Sequence, residues 1–144
     1  MREFLRRLFR QTNGGAAVEL GIIFPFFTIL VLGITEYGMV MFQIMNVNNA
    51  AQIGANYAML NGFSVTGIQN AVNAATSIAS GNVSATEFCG CATGSAITAV
   101  SCAQQCGTQN PGTYVTVTVT QAYGPQAPGV ASPLVASALV RVLQ

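Results

Sequence analysis

Of 144 residues, 51% are hydrophobic and 6% charged, which leaves room for one small domain with an anchor and is too apolar for an ordinary soluble domain. Four of the five basic residues, Arg2, Arg6, Arg7 and Arg10, crowd the first ten positions beside Glu3, so no basic surface remains beyond that tip to neutralise the phosphates of a nucleic acid. The chain contains no His, Lys or Asp, and after Gly14 the only charged residues are Glu19, Glu36, Glu87 and Arg141; with the commonest general base and metal ligand missing, the reading is of a protein with no catalytic, cofactor or metal site.

The first element is a basic leader, residues 1–14. From Leu20 the chain is uncharged to Ile34 and, after Thr35-Glu36, apolar again from Tyr37 to Met45, about 26 residues that at roughly 1.5 Å each exceed a ~30 Å hydrocarbon core. This predicts one membrane span. A secretory signal has an apolar core of only about 7 to 15 residues and ends at a small-x-small site, which this stretch lacks. The arginines before the span set its direction by the positive-inside rule: the tip is cytoplasmic and the rest of the chain is outside.

The helix is expected to continue past the membrane. In "NVNNAAQIGANYAML", Val47, Ala50, Ala51, Gly54, Tyr57 and Ala58 recur at spacings of three and four, and Asn61-Gly62 is a stop signal. One long helix therefore spans about Gly15 to Leu60, with Pro25 expected to kink it by removing a backbone donor. The small residues Ala50, Ala51, Gly54 and Ala58 leave two options open: packing against the protein's own head or close approach of a helix from another subunit.

Residues 63–144 form the predicted head. Val65, Ile68, Val72, Ala75 and Ile78 have helical spacing with Gly81 as the stop, which predicts a second, shorter helix. "NVSATEFC" alternates loosely through Val83, Ala85 and Phe88. "TYVTVTVTQAY" alternates strictly, with Val115, Val117 and Val119 facing a core and Tyr114, Thr116, Thr118 and Thr120 facing water, after a turn at "QNPG", 109–112. The final apolar piece, Leu134 to Val142, fits a closing strand or a helix. The fold class is α+β: a long N-terminal helix followed by a small head with a second helix and a short antiparallel sheet.

A head of about 80 residues needs staples. Cys89, Cys91, Cys102 and Cys106 supply them as C-x-C-x10-C-x3-C, and an even number of cysteines outside the cytoplasm reads as two disulfides. A four-thiolate zinc site is the weaker alternative, since the C-x-C start lacks the usual spacing. Three pairings are possible; a hairpin folded near Gly94-Ser95 favours the nested Cys89–Cys106 and Cys91–Cys102. Glu87 and Arg141 are candidates for a surface ion pair, which is worth little.

Glu19 is the unusual residue. A carboxylate at the start of a span costs about 2.5 to 3.5 kcal/mol to bury unless it meets a cation. If the tip is cut between Gly14 and Gly15, Glu19 becomes the fifth residue of a mature chain whose new terminal ammonium is positive, and in a packed row of helices the acid of one chain pairs with the terminus of its neighbour. The block "GGAAVELGIIFP", behind its arginine-rich leader, resembles the TadE-like minor pseudopilins of tight-adherence (Flp-type) systems, which are related to type IV pilins. "GITEYG" at 33–38, "NNAAQIGANYA" at 48–58 and the late "YVTVTVT" are similar to that family as well. Leu20 departs from it, standing where an aromatic commonly follows the acid, and the paired glycines shift the possible cut by one residue. The resemblance implies removal of the leader by a prepilin peptidase, partnership with other pilin or pseudopilin subunits and their assembly machinery, a place in the inner (cytoplasmic) membrane or the pilus itself, and a role in assembly or priming of an adhesive pilus. The rival reading is an unprocessed single-pass anchor carrying an extracytoplasmic binding or adhesive head. Glu36, roughly 25 Å beyond Glu19 along a straight helix, reads as a solvated acid beside Tyr37.

Overall fold

The computed structural model describes residues 15–94, 96–124 and 132–143. The predicted leader, residues 1–14 with Gly14, and Pro125 and Pro128 lie outside the described residues. The chain divides into two compact units, Met1–Val40 and Met41–Gln144.

In the first unit the described residues belong to helix α1 (Gly15–Asn61), which is continuous through Pro25. Pro25 has no N–H, so the Gly21 carbonyl loses its partner in the helical ladder. Thr28 and Thr35 donate their hydroxyls to the carbonyls of Phe24 and Val31, both at 2.8 Å, which satisfies these polar groups without water. All large apolar side chains from Val18 to Ile34 are exposed, Phe26 at 72%. A patch of that size is not kept in water by a soluble monomer. By length and composition α1 can cross a membrane, which fits a single-pass anchor.

The second unit begins on the same helix and adds α2 (Val65–Ala75) and a four-stranded antiparallel sheet of β1 (Val83–Thr93), β2 (Ala96–Val100), β3 (Gly112–Gln121) and β4 (Leu134–Val142), in the order β2-β1-β3-β4. The Ser64 hydroxyl caps α2 by accepting from the Gly67 N–H. This helix ends at Ala75, before the predicted Ile78. The Thr76 hydroxyl donates back to the Val72 carbonyl and its oxygen accepts from the Ile78 N–H, turning the chain out of the helix. Ile78 is still buried, from the segment that follows the helix, and Gly81 sits in a 3-10 turn, Ser80–Asn82.

One core joins these elements. Val47, Ala50, Ala51, Ala55 and Ala58 from α1 and Ile68 and Val72 from α2 pack with Val83, Val115, Val117, Val119, Ala136 and Val142 of the sheet. Of the two options for the small-residue stripe, packing against the protein's own head is the one observed. Gly54 lies where all three layers meet: a methyl group there would stand 2.8 Å from Val117 Cγ1, 3.1 Å from Ile68 Cγ2 and 3.2 Å from Val72 Cγ2.

Three details differ from the sequence reading. β2 is a strand in its own right, paired from Cys89↔Val100 to Thr93↔Ala96 around a turn where Gly94 has φ +63°. Phe88 faces away from Val83 and Ala85, beside Tyr114, with ring centroids 5.9 Å apart. Tyr114 is buried rather than wet, because Gly90 and Gly112 leave space beside it: an added methyl at Gly90 would meet Ile97 and Tyr114, and one at Gly112 would meet Arg141 and Tyr114. The Leu134–Val142 piece is a strand, the edge partner of β3.

Candidate assembly surfaces

The N-terminal end of α1 carries Gly15 of the predicted cleavage pair and the predicted contact residue Glu19, while Gly14 lies outside the described residues. Gly15 is where α1 begins, and Glu19 stands exposed one turn later, between exposed Val18 and Leu20. The only cation among the described residues is Arg141, in the other unit. A carboxylate in this setting calls for a counter-charge once apolar surroundings close over it. Glu36 is half-buried on the same helix, next to exposed Tyr37.

In the head, the four cysteines form Cys89–Cys102 and Cys91–Cys106, with Cα atoms 5.1 and 5.5 Å apart. These bonds consume every thiol that a zinc site would need. The nested pairing expected from a simple hairpin is overturned by the strand register. Cys89 lies opposite Val100 and Cys91 opposite Thr98, so neither partner cysteine is on β2. The chain instead turns at Ser101, with the Gln104 N–H bonded to the Ser101 carbonyl, which returns Cys102 to Cys89. A second small turn, with Gly107 at φ +71° and the Cys106 N–H donating to the Gln109 carbonyl at 2.7 Å, sets Cys106 against Cys91. The two staples fix the 101–111 connection onto one face of β1.

That connection walls a cavity of about 630 Å³ lined by Glu87, Cys89, Cys102, Gln105, Asn110 and Thr113. A smaller cavity, about 110 Å³, is lined by Tyr114 and Arg141 together with Gly112. The predicted ion pair between Glu87 and Arg141 does not form. Glu87 stands opposite Val115, which stands opposite Val140, whereas Phe88, Tyr114 and Arg141 make the next row, so strand alternation directs the two charges to opposite faces of the sheet. The composition made that pair attractive; only the register could exclude it.

Comparison with known proteins places one segment. Residues 14–56 match the family model described as TadE-like protein. The resemblance read from "GGAAVELGIIFP", "GITEYG" and most of "NNAAQIGANYA" is borne out over these residues, which are under a third of the chain. They include Gly14, Gly15, Glu19, Pro25, Glu36 and most of the small-residue stripe. No curated protein and no solved structure matches the chain.

Proposed function

We propose that this TadE-like chain is a pilin-like subunit of a tight-adherence pilus system. A prepilin peptidase removes its leader after Gly14, and α1 then packs among other pilin or pseudopilin subunits during assembly or priming of the filament. The observation that carries this reading is the TadE-like segment starting at residue 14, which holds the paired glycines, Glu19 and an exposed apolar helix in one continuous run. Cleavage converts a basic tip into a single ammonium four residues before Glu19. In an apolar row of helices, the ammonium of one chain and the carboxylate of the next neutralise one another, and the cost of burying either alone sets their register.

The leader lies on the cytoplasmic side and the head outside, where disulfides persist. Pro25 supports the same role, since the unpaired Gly21 carbonyl leaves that turn more easily bent as helices crowd together.

The test is the mass and N-terminal sequence of the protein recovered from membranes of its native host. A chain beginning at Gly15 is expected. An intact leader, in cells with an active prepilin peptidase, overturns the proposal in favour of a simple anchored binding module. Glu19→Gln is expected to leave membrane insertion and processing unchanged while abolishing incorporation next to other subunits; normal assembly with this change would remove the pairing.

A further inference from the structure

The second unit has only two charged side chains among its described residues, Glu87 and Arg141. They belong to adjacent rows of one sheet and face opposite ways. They stand on different strands with β3 between them and do not pair within one chain.

The surroundings of the two charges are complementary. Glu87 borders the cavity of about 630 Å³, within the size range of ordinary ligand sites. Gln105, Asn110 and Thr113 add side chains that can donate and accept hydrogen bonds, and among the described residues of its lining none is basic. The Glu87 carboxylate at the border of this polar recess is the group that a guanidinium engages by charge-assisted hydrogen bonds. Arg141 is exposed on the other face, where Val135 and Leu139 of the same strand are 60% and 48% exposed and supply apolar surface beside it.

We infer that Arg141 of one copy docks into the Glu87 cavity of a second copy. The contact does not require Glu87 to lack neighbours in its own chain, since a carboxylate has about four lone-pair sites. Because the two surfaces differ and lie on opposite faces, each docked copy presents an unused Arg141 on one side and an unused cavity on the other. Such a head-to-tail contact does not close at two copies and continues into a larger ring or an open row. The inference rests on the reading of the chain as a subunit that packs with its own kind, and it adds a contact made by the heads to the one proposed at Glu19.

The chain has no lysine, so Arg141→Lys introduces its only side-chain amine. The full-length variant is treated in its native membranes with a zero-length carbodiimide crosslinker, using a mixture of isotope-labelled and unlabelled copies, and the products are mapped by mass spectrometry. Expected is a crosslink between positions 87 and 141 of different copies, with oligomers larger than dimers, weakened by salt and absent from the Glu87→Gln, Arg141→Lys double variant. In the otherwise unaltered protein, Glu87→Arg should lower self-association by about tenfold, a difference of ~1.4 kcal/mol, and adding Arg141→Glu should restore it, which a misfolded head could not do. Crosslinks through Glu19 without any 87–141 product overturn the head contact and leave the pilin reading standing. An 87–141 product between copies that keep their leader supports the head contact and overturns the pilin reading. A sample with neither product overturns the head contact.

Discussion

Two stretches of the same helix meet opposite fates. From Val18 to Ile34 the side chains are mostly large and every large apolar one is exposed, whereas from Val47 to Ala58 the inward positions are held by valine, alanine and glycine and are almost fully covered. Hydrophobicity alone would rank the first stretch as the core. What separates them is the partner each is shaped for. Lipid accepts bulky side chains on all sides of a helix, while a sheet and a second helix can close on α1 only where its surface is shallow. Gly54 marks a point of close approach, facing Val117, Ile68 and Val72 at once.

The comparison can be broken at either end. Ile68→Ala, which removes a fully buried side chain from the contact with α1, should destabilise the head by about 2 to 5 kcal/mol in thermal or denaturant melts of the detergent-solubilised protein, without changing membrane insertion. Ile29→Asp should do the reverse. It adds about 2.5 to 3.5 kcal/mol to insertion and lowers the membrane-integrated fraction in an alkaline-extraction assay, while the head melts as before. Replacing Cys91 and Cys106 together by serine should cost the head about 2 to 4 kcal/mol, since the bond closes a 15-residue separation; with Ile68 still buried, α1 and α2 should keep their protection in hydrogen exchange while the 101–111 connection loses it.

Smaller changes sharpen the contrast. Gly54→Ala gains about 1 kcal/mol of helix propensity and loses about 1 to 3 kcal/mol to overpacking, so a net destabilisation is expected in the same melts, whereas Gly33→Ala, with open space around it, should show none. Ser64→Ala removes the cap of α2 and should cost about 1 kcal/mol.

The parts of the fold legible in advance were those in which a residue's role depends on its near neighbours. The spacing of Val47, Ala50, Ala51, Gly54 and Ala58 described the covered face of α1, and the alternation of Val115, Val117 and Val119 described the buried face of β3. Leu134–Val142 carried too weak a period to decide between strand and helix, and pairing with β3 settled it. The short strand β2 is not legible in the sequence because the five residues Ala96–Val100 show little alternation, and its conformation follows from the partner β1 provides. In the candidate surfaces, the glycines, Glu19 and the four cysteines were visible as residue types at telling positions. The Glu87 cavity was not, since Gln105, Asn110 and Thr113 converge on Glu87 only after the disulfides have folded their connection back.

By itself, the sequence determined that an arginine-rich stretch precedes a helix long and apolar enough for a membrane, that the same helix carries a shallow stripe, and that four cysteines staple a small α+β head. Each of these follows from side-chain chemistry repeated along a local backbone of known period. Tertiary structure decided which cysteines pair, that the shallow stripe is filled by the protein's own sheet, and that Glu87 and Arg141 face opposite ways. All three depend on where the chain reverses and on strand register, and a shift of register by one residue would send every side chain of a strand to the other face.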